Sequence, residues 1–299
     1  MEYFMQQFLN ALSIGGEYAL LALGLAIVFS VMGLVNFAHG ELIALGGYSM
    51  YVTAIFFSPP IALLLPVGIL AAMVSAIIFE RVAFRPVRSA PPTTGLLTAF
   101  GVSIVVQNFL VIFVATRPKP VQTPSWMGGT ISLGSLDIPV VQVLESIVTA
   151  ISIIALILLL RKTNIGLAMR AAAKDFVTVR MMGIRANRVI MTAFAVSGML
   201  AGIAAIFIIS RRGAVDPFMG FLPVLKAFVA CVLGGFGSLL GAVLGGLILG
   251  FSEVFLQAFL PSEIAGFRDA FVFFLVGLIL VVKPEGLLGA KAELGDKEE

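Results

Sequence analysis

One cysteine, one histidine and one tryptophan stand among 299 residues, and only 12% of the chain is charged. A single cysteine, Cys231, forms no internal disulfide, thiolate metal cluster or redox pair. Its place in an apolar run says nothing about compartment. One histidine, His39, cannot supply a zinc-protease site, and no H-E-x-x-H occurs. No G-x-x-x-x-G-K-[ST] occurs either, so this chain does not cradle ATP phosphates through a P-loop. An intramembrane serine protease needs a serine with a placed base, and His39 is the sole imidazole on offer. These absences point away from catalysis and from a metal site on this chain. No Lys or Arg precedes Arg81. The basic n-region of a cleavable signal peptide is therefore missing, and the first apolar stretch reads as a retained span.

What the chain has in quantity is hydrocarbon: 60% hydrophobic residues and a mean hydropathy of +1.11. Repeated apolar stretches near the ~20 residues that carry a helix across ~30 Å of hydrocarbon cannot all hide in one soluble core. About nine candidate spans are centred near Leu21, Ala44, Leu70, Val105, Ile153, Phe194, Ala230, Leu247 and Leu275. Each run is too long for a barrel strand of about 10 residues, and the alternation of a membrane barrel is absent. The expected fold is all-α, a polytopic transmembrane helix bundle of about 8–9 spans. Residues 1–290 form one transmembrane domain, with a charged tail at 291–299.

Residues 161–188 carry seven Lys/Arg against one acid, Asp175. Basic short loops stay on the cytoplasmic side, which places this segment there. Counting spans outward puts the loop bearing Arg81, Arg85 and Arg88 inside, residues 117–139 outside, the N-terminus outside and the C-terminus inside. Arg211 and Arg212 fall on the outer side. The net charge of +3 and pI near 9.2 need no nucleic-acid partner, because the basic residues sit in membrane-flanking loops.

Small residues crowd the second span, at Gly40, Gly46 and Gly47, and the region of Gly234, Gly235, Gly237, Gly241, Gly245, Gly246 and Gly250. Such residues let helix backbones approach closely, either for packing alone or beside a translocation path. Phe37 to Gly46-Gly47 and Phe236 to Gly245-Gly246 share a spacing, a possible internal repeat whose two copies should face each other. Polar groups at membrane depth are costly and are candidates for function. Asn36, His39 and Glu41 lie together in VNFAHGE, either as a solvated helix cap or lining a path. In the fourth span Gly101, Ile104 and Asn108 share a face, and Ser103 and Gln107 stand one turn apart, where interhelical hydrogen bonding is the plainer reading. Lys226 and Glu253 lie near the ends of apolar runs, where a lysine snorkels and needs no partner.

Within the basic segment, Ala171, Ala172 and Ala173 favour helix, and Ala172, Phe176, Val179 and Met182 recur at helical spacing before Gly183, a C-terminal stop. This predicts a short amphipathic cytoplasmic helix. It lies on anionic lipid or fills a groove on a soluble partner that supplies ATP hydrolysis. An ion-coupled secondary transporter using Glu41, Glu253 or His39 would need no such partner, and a purely structural membrane protein would not need clustered polar groups.

The stretch GLVNFAHGE ending at Glu41, RPVR ending at Arg88, RAAAKD ending at Asp175 with its following MGI, and LKAFVACVLGGFGSLLGAVLGGLILGFSE ending at Glu253 together resemble the H-type permease of high-affinity branched-chain amino-acid ABC transporters. The resemblance covers about residues 10–289. It implies a bacterial or archaeal inner-membrane importer subunit that pairs with a second, related permease. Two ATPase subunits would bind ATP and magnesium, this chain holding no cofactor, and an extracytoplasmic binding protein would deliver leucine, isoleucine or valine. Similar permeases are also associated with urea and short amides. Arg170, Ala171, Ala172, Ala173, Asp175, Phe176, Met182 and Gly183 would form the coupling helix, and Trp126 would belong to the surface facing the binding protein. Asn36, His39, Gly40, Glu41, Gly101, Gln107, Asn108, Gly234, Gly235, Gly237 and Glu253 are the candidate path residues.

Overall fold

A backbone crossing hydrocarbon must satisfy its own N–H and C=O groups, and this chain does so with α-helix. The computed structural model describes residues 2–57, 60–88, 90–114, 116–133, 136–174, 179 and 181–288. In chain order the helices are α1 (Glu2–Met32), α2 (His39–Phe57), α3 (Leu64–Phe79), α4 (Pro92–Phe113) and α5 (Val140–Lys162). There follow α6 (Asn164–Lys174), α7 (Ala186–Arg212), α8 (Phe221–Gly234), α9 (Leu239–Phe259) and α10 (Arg268–Val282). Eight of the described helical segments are long and apolar enough to cross a membrane. The span expected around Ala230 is α8, apolar but only 14 residues long. At 1.5 Å per residue the helix alone covers ~21 Å of the ~30 Å of hydrocarbon.

Local chemistry sets the boundaries. Gly33 and Gly213 end α1 and α7 in the left-handed region, at φ 67° and 68°, a conformation that costs a Cβ-bearing residue. Pro92 opens α4 where its missing N–H matters least. The Ser238 hydroxyl caps α9 by accepting the Gly241 amide at 3.0 Å. Two short antiparallel ribbons sit in connecting segments: β1 (Lys119–Pro120) on β4 (Ala214–Val215), and β2 (Thr130–Leu133) on β3 (Leu136–Pro139).

Helices α1 and α7 are buried along most of their length and form the centre, while α3, α4, α5 and α10 leave most of theirs facing outward. They cross antiparallel: Arg211 of α7 pairs with Glu17 of α1, and Gly24 of α1 lies against Ser197 of α7. Glycine makes the closest contacts. Gly246 and Gly250 of α9 rest on Ala19 and Gly15 of α1, and Gly198 and Gly202 of α7 rest on Ala76 and Ile69 of α3. In lipid, where apolar burial gives no drive between helices, this close packing holds the bundle together.

An internal repeat is present, and not where spacing alone put it. Gly46 packs on Gly68 and Ala72, Gly245 on Ala230, and Gly246 on Ala19, so the two copies expected from the glycine pairs do not face each other. The matching segments are Gly33-Leu-Val-Asn-Phe-Ala-His-Gly40 and Gly213-Ala-Val-Asp-Pro-Phe-Met-Gly220. Each follows a long central helix and leads into the next helix. The first glycine of each donates its amide four residues back, Gly33 to Phe29 O and Gly213 to Ile209 O, both at 2.7 Å. The packing repeats too: α1 lies on α9 as α7 lies on α3, and α2 pairs with α3 as α8 pairs with α9. Because α1 and α7 run in opposite directions, the second unit is inverted relative to the first, an arrangement on which many transporters are built.

Candidate functional site

Where the two units meet, the second glycines of the repeat touch. A Cβ on Gly40 would come 2.5 Å from the Gly220 carbonyl oxygen, and one on Gly220 would strike the Gly40 carbonyl. The starts of α2 and α8 therefore cross backbone to backbone. His39, the first residue of α2, is fully buried, with its ring against Gly24 and Nδ1 3.0 Å from the Ser197 hydroxyl. Glu41 is buried and accepts from the Ser103 hydroxyl and the Gln107 amide, each at 2.7 Å. Asn36 is buried as well. Among the described residues, Asn36 Oδ1, His39 Nε2 and Glu41 Oε2 are buried without a hydrogen-bond partner. Such orphans cost about 1–3 kcal/mol each. The segment is therefore inside the bundle, and the reading of it as a solvated cap is corrected.

The other candidate path residues fall in different places. Ser103 and Gln107 turn inward to Glu41, whereas Gly101 and Asn108 are exposed, and Asn108 donates back to Ile104 O at 2.8 Å. Gly234, Gly235 and Gly237 make the α8–α9 turn, with φ 99° at Gly235 and 88° at Gly237. Residues 286–288 strap that turn through Leu287 N to Leu233 O at 2.8 Å and Leu288 N to Gly234 O at 2.9 Å. A run of rings joins it to the VNFAHGE segment: Phe37 to Phe228 at 5.2 Å, Phe228 to Phe236 at 5.6 Å and Phe236 to Phe29 at 4.6 Å.

Glu253 belongs to a third place, which spacing did not reveal. Both its carboxylate oxygens lie 2.7 Å from Lys226 Nζ. Tyr18 donates to it at 2.7 Å, and Arg268 approaches at 3.1 Å. Lys226 thus has a buried partner, contrary to the snorkelling expectation, because α8 and α9 form a hairpin that sets position 226 opposite 253. Nearby, Arg211 pairs with Glu17 and, at 2.5 Å, with fully buried Glu145, which also accepts from Ser13. Tyr18, Lys226, Glu253 and Arg268 of the first group and Glu17 and Arg211 of the second line one cavity of about 280 Å³. Glu17 and Glu145 were missed, although an acid within an apolar span is itself a signal of function.

The basic segment makes a fourth place. Gly166, Ala168, Met169 and Ala172 of α6 are buried against the bundle. Arg170, Ala173 and Lys174 are exposed, as are Met181, Met182 and Gly183. Ala171 is half-buried, and Gly183 sits at φ 78°. Asp175 and Phe176 lie outside the described residues, as does the tail at 291–299. Arg88, beyond the end of the third span, pairs with Glu80 and donates to Asn187 at 2.6 Å at the start of α7. Burial holds its guanidinium below the ordinary arginine value.

Comparison with known proteins adds a match over most of the chain. A family model described as the permease component of branched-chain amino acid transport systems matches residues 7–283. The chain is 37% identical to the high-affinity branched-chain amino acid transport system permease protein LivH of Escherichia coli, over 96% of each chain. It is 34% identical to the permease protein BraD of Pseudomonas aeruginosa, again over 96% of each. A ribose import permease protein, RbsC of Haemophilus influenzae, is 28% identical over 81% of this chain and 75% of its own.

Proposed function

The chain belongs to the permease-component family of branched-chain amino acid transport systems, a multi-pass membrane protein, and from that premise we propose that it imports leucine, isoleucine and valine as one permease of an ABC importer. The observation that carries the reading is identity along nearly the whole chain to permeases named for that transport. Substrate moves by alternating access, and the driving ATP hydrolysis takes place on two separate ATPase subunits. An extracytoplasmic amino-acid-binding protein delivers substrate, and a second, related permease completes the path. The exposed face of α6 and residues 181–183 form the surface received by an ATPase.

The buried polar groups at Asn36, His39 and Glu41 support a place for the path beside the Gly40–Gly220 crossing, where two inverted units can shift against each other. The experiment is purification of the chain from its own membranes in mild detergent, with identification of what accompanies it. Recovery of a second permease and two ATPases, with loss of labelled leucine uptake when the chain is deleted, is the expected result. Leucine transport by the purified chain alone along an ion gradient would overturn it.

A further inference from the structure

We infer that the charged cavity between α1, α7, α8, α9 and α10 binds a free α-amino acid as its zwitterion. Arg212 holds the carboxylate, Asp269 holds the ammonium, and the side chain lies on Ile14, Ile208 and Leu222. The inference rests on the amino-acid importer reading and goes further by placing a substrate site within this one chain.

Three observations converge. The first is charge. The cations on the wall are Arg211, Arg212, Lys226 and Arg268. Against them stand Glu17, Glu253 and Asp269, with Glu145 pairing Arg211 from behind. With Asp216 behind Arg212 as Glu145 is behind Arg211, groups of both signs face the cavity, which suits a molecule that carries both charges.

The second is the difference between inner and outer groups. Lys226 and Glu253, with side chains 12% and 7% exposed, satisfy each other. Arg212 and Asp269 are 45% and 46% exposed. Arg212 reaches Asp216 only at 3.7 Å, and Asp269 reaches Lys226 at 3.3 Å and Arg268 at 3.4 Å. Both outer groups can exchange a long contact for a short one to a ligand. The Arg212 guanidinium offers the forked donors that a carboxylate takes.

The third is size and lining. A volume of about 280 Å³ falls just below the ~300–1,000 Å³ of sites for drug-sized ligands, the scale of one small metabolite. Ile14, Ile208, Leu222 and Pro223 complete the wall. A purely structural tie between these helices would be cheaper with apolar side chains, since desolvating ion pairs often costs more than it returns.

The test is equilibrium binding of radiolabelled L-leucine to the purified permease assembly in nanodiscs, with no binding protein added. Saturable binding displaced by L-isoleucine and L-valine is expected. L-leucinamide, which lacks the carboxylate, and 4-methylpentanoate, which lacks the ammonium, should compete at least about tenfold less well. Arg212→Gln and Asp269→Asn should each weaken binding by about tenfold while reaching the membrane at wild-type level. Equal binding by wild type and both variants, equal competition by both analogues, or no saturable binding to wild type overturns the site. The analogue series on the wild-type chain decides the matter even where a variant does not accumulate. Leucine uptake by cells with and without the chain, run in parallel, separates the two claims. Chain-dependent uptake without this binding removes the site and leaves the importer reading; uptake independent of the chain removes both.

Discussion

At the residue scale, the charges inside the bundle are held by partners far away in sequence. Lys226, Glu253, Tyr18 and Arg268 come from four helices, and removing one member leaves another buried and unmatched. Breaking a buried pair by truncating one partner costs about 3–5 kcal/mol. Arg268 remains beside Glu253, so Lys226→Met should fall near the lower end. Its thermal unfolding midpoint in detergent should drop clearly, and Lys226→Met with Glu253→Gln should recover most of the loss. A double variant as unstable as the sum of the two singles would contradict the pairing. Glycine makes a second residue-scale prediction. A Cβ on Gly220 strikes the Gly40 carbonyl, so Gly220→Ala should lower stability by about 1–3 kcal/mol through overpacking. Gly101→Ala, with open space around its Cβ, should leave the melting midpoint unchanged.

At the element scale, α6 presents two faces with different work. Ala172 is buried against the bundle, while Arg170 and Ala173 are exposed, as is Met182 beyond the end of α6. A charge at Ala172 therefore tests the seating of the helix, not the partner surface. Ala173→Glu and Met182→Glu should leave insertion and melting unchanged while reducing coupling between ATP hydrolysis and uptake, measured as molecules of leucine moved per ATP in proteoliposomes. Ala172→Glu should lower the amount of folded protein first. Unchanged stoichiometry in both surface variants would remove α6 as the lever. Gly183→Pro acts through the backbone, since proline is locked near φ −65° and Gly183 sits at φ 78°. It should uncouple transport with normal membrane insertion.

At the scale of the whole molecule, inversion of the two units makes their sidedness testable. The only cysteine, Cys231, is buried, so a Cys231→Ser chain is a blank background for single cysteines. Trp126→Cys, on an exposed turn, should react with an impermeant maleimide added to intact cells. Lys174→Cys, on exposed α6, should react only after the membrane is opened. The reverse pattern would invert the topology proposed from the basic loops.

Hydropathy alone determined the solvent, the helical class and nearly every crossing, because an apolar run of about 20 residues has one stable state in lipid. Gly183 takes the left-handed backbone expected of a stop, while most of the helix expected before it lies outside the described residues and α6 ends at Lys174. Tertiary structure alone decided the rest. The pairing of Lys226 with Glu253 depends on the α8–α9 hairpin, and the convergence of Glu17, Glu145 and Arg211 depends on how α1, α5 and α7 cross. The inverted repeat was written in Gly33–Gly40 and Gly213–Gly220 all along. A Gly-rich chain matches itself at many spacings, and only the packing of Gly40 on Gly220 selects the true pair. Spacing places residues on a helix face; which faces meet is set by close packing between helices, a property no single segment carries.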